Sequence, residues 1–337
     1  MTMKARIGTV LAAAAVLLAA CQSSGGTPTQ TSTESNQGKT IALSLPFASA
    51  PFYWAAANGL KDEGERLGFK VIVNNADNSV EAQVSELNNY KTQHVAAVSL
   101  ISIDADALDP AINNLMAAQI PVFAIDRDVH TTTAGFLVTD NVAGGKALGD
   151  YVKTKMGGKP IYALALHGGL NVIPFVERLN GFLSSFAGDQ NFHLVGTPNA
   201  EVDPAKALAI TKAYMQSHPE INVIFSVTDI MDAGAVAALK EMGKSYPIGD
   251  PNHIMIVSVD GNGETLNQVR QGTVDACFSQ YPYLIGVWTA RVMNDYVHGR
   301  GATIPRQLYF GGDLVTKDSV ASFKSLWGDH QYPQIAG

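Results

Sequence analysis

Four apolar, strand-like runs in this sequence finish in an aspartate: Ile125-Asp126-Arg127, Val138-Thr139-Asp140-Asn141, Val227-Thr228-Asp229 and Val259-Asp260-Gly261. At the carboxyl ends of strands in an open parallel sheet, loops splay and helix N-termini present unpaired N–H groups, and ligands gather there. Two jobs are open to an aspartate in that place: capping the helix that follows, or facing a ligand. For Asp140 and Asp229 the two readings stand level. Asp126 has Arg127 directly beside it, and Asp260 opens an Asp-Gly-Asn-Gly loop, which favours ligand contact for both.

A hydroxyl group both donates and accepts. A site for a polyhydroxylated molecule therefore calls for ionised acceptors and fixed multi-N–H donors strong enough to replace lost hydration. Asp with Arg supplies that mixture. The C–H face of a sugar ring suits a flat aromatic wall, which Pro51-Phe52-Tyr53-Trp54 offers just beyond the first strand, although Trp54 could equally face the sheet. The rival chemistry is a secreted enzyme in which the same acids hold Mg²⁺ for phosphoryl transfer. Against it, the sequence lacks a Gly-rich phosphate loop ending in Lys-Ser/Thr, a His-Glu-x-x-His pair and a Gly-x-Ser-x-Gly elbow. The 8 histidines are scattered, so no metal site is expected. No cofactor is expected either, because Gly261-Asn262-Gly263 lacks the third glycine of a dinucleotide fingerprint.

The elements that must position these residues alternate. Strand-like runs at Ile41 to Leu45, Val71 to Val73, Ala96 to Ile101, Val122 to Ile125 and Phe136 to Val138 are separated by helical periodicity at Tyr53 to Leu67, Ser79 to Tyr90 and Ala105 to Ala118. A second series follows Asp140, with strands at Ile161 to Leu166, Phe192 to Val195, Val223 to Val227 and Ile254 to Val259. Its helices are Phe175 to Phe186, Pro204 to Ser217 and Asp232 to Met242. Continuous apolar runs suit strands covered on both faces, so the chain is α/β with parallel sheets. Two sheets of similar design fit better than one sheet of ten strands.

The 337 residues carry a net charge of -7 and are 46% hydrophobic, enough for two cores and without the positive field that draws nucleic acid. Residues 1–20 pair a basic start (Lys4, Arg6) with the apolar stretch Ile7 to Ala20, the order of a cleaved export signal and too short to span a bilayer. Leu18-Ala19-Ala20-Cys21 resembles a bacterial lipobox, which implies acylation of Cys21 and attachment to a membrane through lipid alone. Residues 21–39 are rich in Ser, Thr, Gly, Gln and Asn, a composition that reads as a flexible tether. The other cysteine, Cys277, lies in an apolar run and reads as a buried structural thiol.

Seven motifs in order carry a family resemblance: Pro51-Phe52-Tyr53, Ile125-Asp126-Arg127, Thr139-Asp140-Asn141-Val142-Ala143-Gly144-Gly145, Glu177-Arg178-Leu179-Asn180-Gly181-Phe182, Val227-Thr228-Asp229, Val259-Asp260-Gly261 and Gln280-Tyr281-Pro282. From Thr40 to Thr316 the chain is similar to periplasmic binding proteins of the ribose and galactose import type. The resemblance implies two Rossmann-like lobes joined by a three-strand hinge, with crossings near Asp140, Gln280 and Arg306. The first lobe would comprise 40–140 plus 281–306, and the second 141–280 plus 307–337. Phe52 and Tyr53 would stack on the ligand ring, Asp126 and Arg127 would bind it from the first lobe, and Arg178, Asp260 and Gln280 from the second lobe and hinge. Asp140, Thr228 and Asp229 complete the candidate set.

The implied activity is capture without catalysis, by a monomer on the periplasmic or outer surface, of a sugar or polyol for an ABC transporter permease. A chemoreceptor or sensor kinase is the alternative partner. Ala50, Thr228 and Val202 depart from the ribose pattern, where a hydrogen-bonding residue, an asparagine and an aromatic ring are expected, so ribose itself does not follow.

Overall fold

The computed structural model describes residues 35–47, 50–325 and 327. The export signal and Cys21 lie outside these residues. The described chain forms two α/β lobes, each built on a six-stranded sheet.

In the first lobe, β1 (Thr40–Leu45), β2 (Lys70–Asn75), β3 (Ala97–Leu100), β4 (Val122–Ile125), β5 (Gly135–Thr139) and β11 (Gln307–Phe310) lie in the order β11-β5-β4-β3-β1-β2, all parallel. In the second lobe, β6 (Ile161–Leu166), β7 (Phe192–Gly196), β8 (Val223–Ser226), β9 (Met255–Asp260), β10 (Ala276–Ser279) and β12 (Asp313–Thr316) repeat that order as β12-β10-β9-β8-β6-β7. Each sheet reverses direction beside its first strand, which opens a crevice at the strands' carboxyl ends. Only β12 runs antiparallel, pairing Asp313 with Ser279 and Thr316 with Ala276. It enters the second sheet from the hinge, at the carboxyl end of β10, and so must run backwards.

The helices of the first lobe are α1 (Pro51–Arg66), α2 (Val80–Thr92), α3 (Ala105–Ala117) and α9 (Pro282–Val297); those of the second are α4 (Asn141–Met156), α5 (Ile173–Ser184), α6 (Pro204–Ser217), α7 (Asp232–Glu241) and α8 (Gly263–Gln271). Helix pairs in both lobes are pressed together through glycines. A Cβ on Gly286 of α9 would lie 1.9 Å from the Ala56 carbonyl oxygen of α1, and one on Gly145 of α4 would lie 2.0 Å from the Arg178 carbonyl oxygen of α5. Backbone therefore meets backbone at both seams, and the second seam fixes the helix that carries Arg178.

Three features of the fold differ from the sequence expectation. First, β11 belongs to the first sheet, so the third crossing falls at Gly311–Gly312 and not near Arg306. Residues 307–310 therefore leave the second lobe for the first; as an edge strand with Tyr309 exposed, this segment gives little sign of its sheet. Second, the tether ends earlier than residue 39. Asn36 is 4% exposed and donates to the Leu67 carbonyl (3.0 Å) and to Asn294 Oδ1 (2.7 Å), so residues 35–39 dock on the first lobe. Third, the tail does not stay in the second lobe: Val320 and Phe323 pack in its core, but Trp327 packs in the core of the first. Cys277 is fully buried, and burial pushes its thiol well above the ordinary value.

Candidate ligand-binding cleft

A cavity of about 590 Å³ lies at the carboxyl ends of both sheets, with walls from both lobes. Its size is that of a small-molecule site. The first lobe contributes Phe52 and Tyr53 from the start of α1 and Asp126 with Arg127 from the end of β4. The second contributes Phe175 and Arg178 from α5, Thr228 and Asp229 after β8, and Asp260 at the end of β9. Pro51 and Pro174 open α1 and α5 without a capping side chain, so proline stereochemistry starts both helices at the cavity edge.

The second-lobe wall is a hydrogen-bonded network centred on Asp260. Arg178 is 3% exposed; its Nε donates to Asn141 Oδ1 (2.8 Å), and its Nη1 donates to the Val227 carbonyl (2.9 Å) and to Asp260 Oδ1 (3.0 Å). Asp260 Oδ1 also accepts from Gln280 Nε2, and Asp260 Oδ2 accepts from Thr228 Oγ1 at 2.5 Å. Asp229 Oδ2 accepts the Asn262 backbone N–H at 2.8 Å. Each polar group on this wall thus holds another in place before any ligand arrives.

The first-lobe wall is less tied. Among the described residues the Asp126 carboxylate accepts no hydrogen bond, although it is 7% exposed. Arg127 Nη1 reaches the Ser102 carbonyl only at 3.4 Å, and its Nε is buried without an acceptor. Both lobes use one device to hold a guanidinium: Arg127 lies over the Tyr53 ring and Arg178 over the Phe175 ring, each at 5.8 Å from the centroid. Strain marks the same places. Asp126 (φ 62°) and Asp260 (φ 117°) occupy backbone regions that L residues rarely adopt, and both lie on the cavity wall.

Burial governs the acids. Asp126 and Asp260 are raised above the ordinary carboxyl value chiefly by desolvation, against the pull of Arg178. Desolvation and then the neighbouring Asp260 charge push Asp229 up to about 8. Behind the wall, Asp232 is fully buried, accepts from Ser258 Oγ and is driven well above the ordinary range by burial and Asp229. Burial thus opposes ionisation of the acids along this wall. Among the described residues no group of acids, histidines and cysteines is arranged to hold a metal ion.

Of the candidate residues, Phe52, Tyr53, Asp126, Arg127, Arg178, Thr228, Asp229 and Asp260 meet at this cavity. Asp140 does not: its Oδ1 accepts the Ala143 N–H at 2.9 Å and caps α4. Gln280 is also absent from the wall; it is fully buried and acts one layer back, donating to Asp260. Trp54 is buried and lies off the cavity. Sequence reasoning missed Phe47, Asn78, Phe175 and Asn262 on the wall, and Trp327, which arrives from the tail. Phe175 follows Pro174 at a helix start as Phe52 follows Pro51, a parallel that was available in the sequence.

A cleft between two lobes of one topology, joined by three crossings and lined by charges and rings from both, defines a two-lobed binding protein. The chain belongs to the periplasmic binding protein domain family, which it matches over residues 41–301. It is 29% identical over 303 residues to the ribose import binding protein of Bacillus subtilis, covering 88% of this chain and 95% of that one. It is 26% identical over 274 residues to a xylitol-binding protein of Mycolicibacterium smegmatis, covering 81% and 75%. The fold matches that of an ABC transporter solute binding protein from Burkholderia graminis in complex with D-arabinose, with a TM-score of 0.78 at 18% identity over 87% of this chain and 100% of that one.

Proposed function

We propose that this protein captures a neutral sugar or sugar-like polyol outside the cytoplasm and delivers it to an ABC importer, without chemical change to the ligand. One observation carries the reading. Asp126 with Arg127 on one lobe and Arg178 with Asp260 on the other line a single cavity that also presents the rings of Phe52, Tyr53 and Phe175. Arg127 Nε, buried without an acceptor, is a donor that a ligand hydroxyl oxygen would satisfy. The Asp126 carboxylate is the matching acceptor. Relatives named for ribose import and xylitol binding support the ligand class. Contacts from both lobes favour the closed arrangement, because a ligand shifts a population only through differential affinity for the two states.

On this reading the protein is exported and held by acylation of Cys21, with residues 22–34 as the tether. A thermal-shift screen of the purified protein against D-ribose, D-arabinose, D-xylose, D-galactose, xylitol and myo-inositol tests the ligand class, since a compound that binds only the folded state raises the midpoint. At least one is expected to do so with a calorimetric stoichiometry of one. No shift from any of them would refute the reading.

A further inference from the structure

One ring of the cavity comes from the tail that follows the last strand. After β12 the chain turns at Thr316, where the Thr316 N–H donates to Ser319 Oγ at 2.9 Å, and Val320 and Phe323 then pack in the second-lobe core. By Trp327 the chain has crossed back. Trp327 is 5% exposed, belongs to the core cluster of the first lobe, and stands edge-on to Phe52 at 6.2 Å with an interplanar angle of 84°. Phe52 in turn stands edge-on to Tyr53 at 5.8 Å and 88°. Three rings therefore form a corner around Phe52, and all three line the cavity.

We propose that Trp327 is a specificity-determining residue of the binding site: a tail-borne indole that walls the ligand on the first-lobe side and narrows the pocket to compact guests. The inference rests on the reading of the cleft as a sugar or polyol site and deepens it. Two observations converge on it. First, Trp327 shares the cavity with Phe52, Asp126 and Arg127, so a ligand held by those polar groups meets the indole. Second, Trp327 completes with Phe52 and Tyr53 an edge-on corner of rings on the lobe that carries Asp126 and Arg127, so the indole bounds the side of the cavity where those polar groups face a ligand.

The indole also gives the test a direct readout. Of the 3 tryptophans, Trp54 and Trp288 lie off the cavity, so a guest that touches an indole there touches Trp327. The wild-type protein and its Trp327→Ala, Trp327→Phe and Arg178→Ala variants are titrated with D-ribose, D-arabinose, D-xylose and xylitol, by calorimetry and by tryptophan emission. The tightest of these is expected to bind Trp327→Ala roughly ten-fold more weakly and Trp327→Phe within about three-fold of wild type. The ligand-induced emission change is expected to vanish in Trp327→Phe while calorimetry still registers binding. Where Trp327→Ala does not fold, as judged by circular dichroism, the emission result in Trp327→Phe decides alone. Wild-type affinity in Trp327→Ala beside lost binding in Arg178→Ala overturns this inference and leaves the site reading intact. So does an emission change that survives in Trp327→Phe. Absence of binding by the wild-type protein overturns both.

Discussion

The two walls of the cleft solve one problem in opposite ways. On the second lobe, Arg178, Thr228 and Gln280 all donate to the Asp260 carboxylate, so this wall is largely finished by bonds among protein atoms. On the first lobe, Asp126 and the Arg127 Nε lack protein partners, and rings dominate the surface. The difference teaches that buried charge can be spent on structure or reserved for a ligand. A paired charge costs the fold heavily when its partner is removed, whereas an unpaired one costs mainly binding.

Substitutions on the two walls should therefore separate stability from affinity. Arg178→Ala leaves Asp260 buried beside no cation, and a loss of about 3–5 kcal/mol in unfolding free energy is expected by denaturant titration, along with loss of binding. If its midpoint stayed at the wild-type value, the picture of a finished wall would break. Gly145→Ala attacks the same wall through its support, since the added carbon meets the Arg178 carbonyl at 2.0 Å. About 1–3 kcal/mol of overpacking cost is expected, measurable by the same titration. Arg127→Ala should do the reverse, weakening ligand binding by about 1–3 kcal/mol in calorimetry with stability nearly unchanged.

Two smaller effects are slopes with pH. Because Asp229 is raised to about 8, the folded state holds its proton from the ordinary carboxyl value of 3.8 up to that point while the unfolded chain has released it. Stability should therefore fall as pH rises through this window, and Asp229→Asn should flatten the fall. His253 lies far from the cleft wall. Burial alone would lower its pKa, but Asp275, which meets Nε2 at 2.9 Å, and the Tyr246 carbonyl, which meets Nδ1 at 2.7 Å, raise it overall. Its contribution is complete below the ordinary 6.5 and is lost as pH climbs through the raised value. His253→Asn should remove that loss of stability on the alkaline side of 6.5 in denaturant titrations.

Strands β1 to β9 were legible, most of them because strands covered on two faces are continuous apolar runs, as in Ile161 to Leu166 and Met255 to Val259, whereas β10 and β12 were not read as strands. Helix α4 was not, because its contact face is built from Gly144, Gly145 and Gly149, which carry no apolar periodicity. Strand β11 was misassigned because a half-exposed edge strand does not say which sheet it joins. The pairs Thr139-Asp140 and Thr228-Asp229 show where local sequence runs out. Their letters are the same, yet Asp140 caps a helix at a crossing while Asp229 is buried on the cavity wall, a choice made by lobe geometry. Trp327 was invisible for the same reason: nothing in the tail states that it returns across the hinge.

The central claim is that both walls grip one neutral, hydroxyl-bearing guest at once. A crystal structure of the protein with the tightest sugar or polyol from the thermal-shift screen tests it most directly. The account predicts ligand oxygens within hydrogen-bond distance of both the Arg127 and the Arg178 guanidinium groups, with Asp126 accepting from the same molecule. A ligand bound to one lobe alone, or seated outside this cavity, would contradict it.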